Sequence, residues 1–338
     1  MQKMGIAEAL RMAIRQEMAR DERVFCIGED IAIPGGWGGA FTVTLGMEKE
    51  FSHRMINTPI SEAGFFGIAC GAALMGMKPI ADVQYADFLF CAMDQICNNI
   101  AKLRYMSGGK LNVPIVMRAP VGVTGRGSQH AQNMETFFMP LQGVKIVCPA
   151  TAYDAVGLLR TAVRGQDPVM IFEHKLLYGS KGARAESGAI DGSSEIPEED
   201  FTIPFGQAVV RRCGDDITVV GTLLMMHKCL QAAEQLQKEG ISVEVIDPRS
   251  LVPFDYVTLK KSIAKTSRLM IVEESPKRSG IGAEIAATIA EEAVDLLNAP
   301  IKRIAAPDTI VPFSPPMENF YVPQVQRICN EIRQIILK

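Results

Sequence analysis

The chain has 338 residues, 48% of them hydrophobic and 22% charged, with a formal net charge of −3. That size allows two domains, each able to bury its own core. The slight acidity argues against nucleic acid or an anionic membrane as the main partner. No apolar run reaches the roughly 18 residues that span a bilayer, and Met1–Gly5 lacks a basic region followed by an apolar one, so neither a membrane span nor a secretion signal is expected. Eight cysteines without a CxxC pair and four scattered histidines argue for reduced buried thiols in a cytoplasmic setting, with no metal site.

Taken in chain order, Val24–Gly28 reads as a short buried strand, followed by a glycine-rich loop around Gly35-Gly36-Trp37-Gly38-Gly39. Asn57-Thr58-Pro59-Ile60-Ser61-Glu62 then opens a helix that is uncharged from Phe65 to Met77 yet carries Gly64, Gly67, Gly71 and Gly76. Each interior glycine costs a helix about 1 kcal/mol relative to alanine. Ala63, Gly67 and Gly71 are spaced four apart, on one face, which predicts close approach of another backbone there. Locally, Ser61 reads as an N-cap and Glu62 as a first-turn acid complementing the helix dipole.

A strand over Lys78–Tyr85, a helix over roughly Phe88–Met106 stopped by Gly108-Gly109, and a strand over Val113–Arg118 follow. A second glycine loop runs Gly122 to His130, then a strand at Val144–Cys148, a helix at Tyr153–Arg164 and a strand at Val169–Phe172. Alternation at this spacing predicts a parallel sheet covered on both faces. Ser180–Asp200, rich in Gly, Ser and acids, reads as an exposed linker.

The second block reads as strand Ile217–Gly221, helix Leu224–Glu239 ended by Gly240, strand Ser242–Ile246, helix Asp255–Lys265, strand Leu269–Glu273, helix Glu284–Leu297 and strand Ile301–Ile304. The dinucleotide fingerprint fails in each glycine cluster, because Phe41, His130 or Ile285 stands where the third glycine belongs. Gly280-Ile281-Gly282 before a helix reads as close strand–helix packing rather than an anion site. No GxSxG elbow occurs.

Several ordered segments resemble the β subunit of the thiamine-diphosphate-dependent first component of 2-oxo acid and acetoin dehydrogenase complexes. They include Gly28-Glu29-Asp30, Thr58-Pro59-Ile60-Ser61-Glu62-Ala63-Gly64, Gln84-Tyr85-Ala86-Asp87-Phe88, Gln129-His130-Ala131-Gln132, Asp247-Pro248-Arg249 and Pro312-Phe313-Ser314-Pro315. The resemblance implies two three-layer α/β domains: a pyrimidine-binding domain over 1–180 and a transketolase C-terminal-like domain over 205–338, joined by a linker at 181–204.

For Glu62 it implies a hydrogen bond to the ring nitrogen of the cofactor's aminopyrimidine, favouring the imino form that deprotonates the thiazolium carbon. Ile60, Gln84 and Phe88 would line the pyrimidine, Phe88 by ring stacking. His130 would assist intermediates and acyl transfer to lipoate. Asn57 stands where Asp is commoner, Ala131 where Ser is, and Leu141-Gln142-Gly143 where Pro-Gly-Leu is. Some members hold potassium near the segment matching Ala162–Asp167, where Gly165 and Asp167 depart from the usual pattern.

The Gly-Asp-Gly motif that carries Mg²⁺ and the diphosphate is missing, Gly214-Asp215-Asp216 being the nearest approach. The resemblance therefore implies an α subunit holding Mg²⁺ in an α2β2 heterotetramer, a lipoyl acyltransferase partner, and pyruvate, another 2-oxo acid or acetoin as substrate. A non-catalytic assembly subunit and an autonomous transketolase-like enzyme are the alternatives.

Overall fold

The computed structural model describes residues 1–179 and 188–337 and separates them into two compact units. The first comprises Met1–Val121 and Phe138–Phe205; the second comprises Gly122–Phe137 and Gly206–Lys338. Both are α/β, as the alternation of strand and helix predicts.

The first unit runs β1 (Gln2–Met4), α1 (Ile6–Arg20), β2 (Val24–Gly28), β3 (Met55–Asn57), α2 (Glu62–Leu74), β4 (Lys78–Asp82), α3 (Leu103–Met106) and β5 (Val116–Val121). The short α4 (Glu135–Phe138) begins in the second unit; beyond it, again in the first, come β6 (Lys145–Val147), α5 (Ala152–Arg164), β7 (Val169–His174) and β8 (Ser194–Ile196). Strands order as β6-β7-β5-β4-β2-β3, every pair parallel. Every residue of β2, β5 and β7 is buried, as expected for strands covered on both faces. Gly28 is needed because a Cβ there would lie 2.3 Å from the Asp82 carbonyl oxygen of the adjacent strand.

Several expectations need correction. Helix α1, which the sequence reading does not anticipate, packs on α5, and the pair is tied by Arg164 to Glu17. The helix expected over Phe88–Met106 is broken into a 3₁₀ segment at Ala86–Ala92, a π segment at Asp94–Ile100 and the single turn of α3. The Asn99 amide donates to the Asp94 carbonyl at 3.2 Å while the Asp94 carboxylate accepts from Asn98 at 2.8 Å. Side chains thus compete for the groups an α-helical ladder would use.

Part of the expected linker (180–187) lies outside the described residues. Beyond it Gly188, Ala189, Asp191, Glu195 and Glu198 to Asp200 are exposed, while β8 pairs antiparallel with β1; past Asp200 the Phe201 ring stacks on Tyr153 at 4.5 Å and Ile203 is buried against Gly157.

The second unit contains β9 (Val209–Arg212), β10 (Ile217–Gly221), α6 (Leu224–Gln237), β11 (Val243–Asp247), β12 (Ser250–Val252), α7 (Tyr256–Thr266), β13 (Leu269–Pro276), α8 (Ile281–Glu292), β14 (Lys302–Ala306), α9 (Pro315–Tyr321) and α10 (Val325–Ile336). Its sheet orders as β14-β13-β10-β11-β9, parallel except for β9. Helix α10 is also unanticipated; it buries Ile328, Cys329 and Ile332 and packs on α6.

The Gly280-Ile281-Gly282 turn is occupied by the chain itself. The Glu273 carboxylate accepts from the Gly282 amide at 3.2 Å and from the Ser275 hydroxyl at 2.9 Å, with Arg303 at 3.2 Å. A Cβ on Gly280 would sit 2.2 Å from that carboxylate. An internal anion therefore fills the helix N-terminus, as close packing predicts. Among the described residues no helix is long and apolar enough to cross a membrane.

Candidate active site

In an open parallel sheet, ligands gather beyond the carboxyl ends of the strands. Three adjacent strands, β3, β2 and β4, release there the segments that carry Glu62, Glu29 and Gln84 respectively. The local sequence explains each exit. Pro59 keeps the chain extended before α2, and Gly28 lets β2 run tight against β4.

Glu62 is the first residue of α2 and is only 8% exposed. Ser61 does not cap the helix with its side chain; its backbone N–H instead donates to Glu29 Oε1 at 3.1 Å. The simple capping role therefore does not describe this turn. Among the described residues no donor reaches the Glu62 carboxylate. A near-buried carboxylate costs free energy unless something bonds it. The site is consequently built around an acceptor that lacks its donor.

Glu29, which follows β2, is 4% exposed. Burial, and then the neighbouring Glu62 carboxylate, push its carboxyl up to about 7, against the pull of the Ser61 N–H. Two acids thus sit close together, and the Glu62 charge disfavours ionisation of Glu29. Cys91, exposed on the following 3₁₀ segment, faces both; burial and then these two charges raise its thiol.

Gln84 clamps the surroundings. Its Nε2 donates to the Glu29 carbonyl, and its Oε1 accepts from the Ala40 N–H at 2.8 Å, tying the glycine-rich loop to the end of β2. That loop turns on Gly38 (φ +69°), where a Cβ would strike Leu45 N at 2.0 Å. Phe88 is half-buried and meets Tyr85 edge-on at 5.8 Å, while Tyr85 also carries the Lys175 ammonium over its ring at 5.2 Å. Ile60 is 85% exposed, two residues ahead of the carboxylate.

Beneath this lies a buried ion triad that sequence reading misses. Arg118 of β5 donates from Nε to Glu173 Oε1 at 2.9 Å and from its terminal nitrogens to Glu173 Oε2 at 2.5 Å and to Asp82. The Tyr178 hydroxyl donates to Glu173 at 2.6 Å. The triad crosslinks β4, β5 and β7 at their carboxyl ends, two residues below Gln84. Burial pushes Asp82 up to about 6 in spite of Arg118, with Glu173 adding to the rise. The available signal was charge inside apolar strands: Arg in VMRAPV and Glu in VMIFEH, residues rarely buried unless paired.

The structure brings Ile60, Glu62, Gln84 and Phe88 into the first unit. His130 belongs to the second unit, half-exposed on the Gly122–Phe137 segment, its N–H donating to Gly127 O at 3.3 Å. In that unit the segment is held by Val123 N–H donating to Glu274 at 2.7 Å and Gly125 N–H to Glu318 at 2.8 Å, with the Phe313 ring against Gly127.

Among the described residues, the small-residue face of α2 meets no second backbone. Gly67 and Gly71 are exposed, a Cβ on Gly71 would touch nothing, and one on Gly67 would touch only the Gln95 side chain at 3.8 Å. The close approach expected from the sequence is not made among the described residues.

Residues 2–181 match the family described as transketolase, pyrimidine binding domain, and residues 206–328 that described as transketolase, C-terminal domain. The β subunit of acetoin:2,6-dichlorophenolindophenol oxidoreductase of Cupriavidus necator is 42% identical, over 98% of this chain and 97% of its own. The 2-oxoisovalerate dehydrogenase β subunit of Bacillus subtilis is 41% identical over 98% of both. The mitochondrial pyruvate dehydrogenase E1 β subunit of Dictyostelium discoideum is 41% identical, over 98% and 90%. A solved structure titled split gene transketolase, inactive beta4 tetramer, shares the fold with a TM-score of 0.78 at 22% identity, covering 99% of this chain and 98% of that one. The two family models together with full-length identities of 41–42% settle the relationship: the chain belongs to the transketolase-like family of E1 β subunits of 2-oxo acid and acetoin dehydrogenase complexes.

Proposed function

We propose that this chain supplies the pyrimidine-holding half of a thiamine-diphosphate site that an α subunit completes in an α2β2 assembly. The pair decarboxylates a 2-oxo acid such as pyruvate, or cleaves acetoin, and passes the acyl group to lipoate on an acyltransferase component. One observation carries this reading: the Glu62 carboxylate, near-buried at the start of α2, has no donor among the described residues. A protonated heterocyclic nitrogen is a donor of the required kind, so these residues fit the cofactor.

When bound, thiamine diphosphate supplies the carbon nucleophile that attacks the substrate carbonyl. Glu62 would accept a hydrogen bond from the ring nitrogen, and its near-burial would strengthen that bond. Glu29, with its carboxyl pushed up to about 7, exchanges a proton near neutral pH beside it. Gln84 fixes the floor by pinning the glycine loop, Phe88 and Ile60 offer apolar surface to the ring, and His130 assists acyl transfer.

The diphosphate and Mg²⁺ belong to the α subunit in this reading. Asp216 is engaged in its own turn, its Oδ2 accepting from the Ser242 N–H at 2.7 Å, where the Asp215 N–H also donates to the Ser242 hydroxyl at 3.2 Å. Asp167 is paired with Lys145 at 2.7 Å and Arg104 at 3.5 Å, and the reading needs no potassium there. The cytoplasm is the assigned setting, where eight free thiols are stable. Acetoin is the first substrate to test, on the resemblance of the Trp37-Gly38-Gly39 loop.

The test is turnover of Glu62→Gln reconstituted with its cognate α subunit. General-acid/base contributions predict a fall of roughly 10²-fold or more, with thermal stability unchanged. Normal rates would rule out the role of Glu62. A wild-type α–β pair that binds no thiamine diphosphate in calorimetry would leave only the assembly-subunit reading.

A further inference from the structure

Glu135 is the acid that the proposed mechanism does not use. It begins α4, five residues after His130, and is 2% exposed, with its Oε2 buried and without a hydrogen-bond partner. Facing it are the buried carboxylates of Glu273 and Glu274 on β13. Around these lie Lys228 of α6 and Tyr321 of α9, both in the field of Glu274, and Arg303 of β14, which pairs with Glu273. Glu274 is also the acceptor that grips the Val123 N–H at the start of the same segment. An ionised Glu135 would therefore place a charge, helped only by its own backbone N–H, beside the acid that holds its own segment down.

We propose that Glu135 is a positioning residue whose neutral form seats the Gly122–Phe137 segment, and with it His130, on the second unit. Burial, and secondarily Glu274 and Glu273, push its carboxyl up to about 8, whereas an exposed glutamate titrates near 4.3. The sign follows directly. The seated state binds the proton more tightly, so seating is strongest below the exposed value and weakens tenfold per pH unit until it levels off near 8. Between pH 6 and pH 8 the seated-to-open ratio falls about fifty-fold. The link to turnover rests on the role given to His130 above; the seating does not.

The measurement is backbone hydrogen exchange of the full chain at pH 6, 7, 8 and 9, corrected for intrinsic exchange, with strand β10 as the internal control. Wild-type protection over 122–137 should drop about fifty-fold from pH 6 to pH 8 and little thereafter. In Glu135→Gln it should stay at the wild-type pH 6 level throughout. Should that variant fail to fold, Glu274→Gln keeps an acceptor for Val123 but removes the facing charge, and the drop should finish at lower pH. A flat wild-type profile, the same drop in Glu135→Gln, an unmoved profile in Glu274→Gln, or an equal loss in β10 would each overturn the proposal. With α present, the alkaline loss of turnover should follow the exchange; opening without loss of turnover would support the seating and refute the role of His130.

Discussion

The Arg118 triad gives the sharpest stability prediction. Arg118→Met keeps much of the side-chain volume while removing the cation between Asp82 and Glu173, which are 8% and 1% exposed. Removing one partner of a buried ion pair costs about 3–5 kcal/mol, because a charge is left buried without compensation. The orphaned carboxyls respond by taking up protons. Holding one neutral at pH 7, when its exposed counterpart titrates near 4, costs roughly 4 kcal/mol at 1.36 kcal/mol per unit.

The sign of the pH dependence follows. The folded-state Asp82 carboxyl already lies above its unfolded value, at about 6, and losing Arg118 raises it further. The associated stability is complete below the unfolded value and is lost as pH rises through the folded one. The deficit of Arg118→Met relative to wild type should therefore shrink on acidification, by about 2–3 kcal/mol per proton taken up between pH 7.5 and 5.5. Urea unfolding of both proteins at the two pH values measures this. A deficit under 1 kcal/mol, or one that stays constant or grows at pH 5.5, would refute the argument that the triad is a buried charge cluster.

Gly280→Ala should destabilise the second unit by about 1–3 kcal/mol, since its Cβ would meet the Glu273 carboxylate at 2.2 Å and the Pro276 carbonyl at 2.6 Å; thermal unfolding reads this directly. Gly71→Ala meets open space and should strengthen α2 by up to about 1 kcal/mol, yet weaken association with the α subunit if that subunit's backbone packs on the α2 face. Analytical ultracentrifugation of the mixture separates the two effects. Glu29→Gln should flatten the fall in melting temperature between pH 5 and pH 7, because Glu29, pushed up to about 7, gives wild type stability that is present in acid and lost through neutrality. An unchanged slope would count against the Glu29–Glu62 coupling.

Periodicity located both α/β blocks and most strands, since fully buried parallel strands are short apolar runs bounded by turns. It failed where tertiary contacts supply what local pattern lacks. Helix α1 buries Ala7, Ala9, Leu10, Ala13 and Ile14 against α5, yet its small residues make a weak apolar stripe. The segment from Ala86 to Met106 reads as one helix because its apolar spacing is helical, but the Asn99 side-chain amide competes for the Asp94 backbone carbonyl. Past the polar stretch that ends at Asp200, Phe201 and Ile203 are the apolar residues that pack, on Tyr153 and Gly157.

The sequence by itself determined the fold class and picked out Glu62, through a motif whose residues lie close together along the chain. It also carried the absence of a Gly-Asp-Gly motif, which is a matter of residue identity alone. Tertiary structure alone decided that Glu62 has Glu29 for a neighbour, that Arg118 is locked between Asp82 and Glu173, and that Glu135 faces Glu273 and Glu274. Those pairings join residues 33 to more than 100 positions apart, counting Glu29 to Glu62 and Glu135 to Glu273. No periodicity reports them, because charges couple through the space that sheet order and burial create.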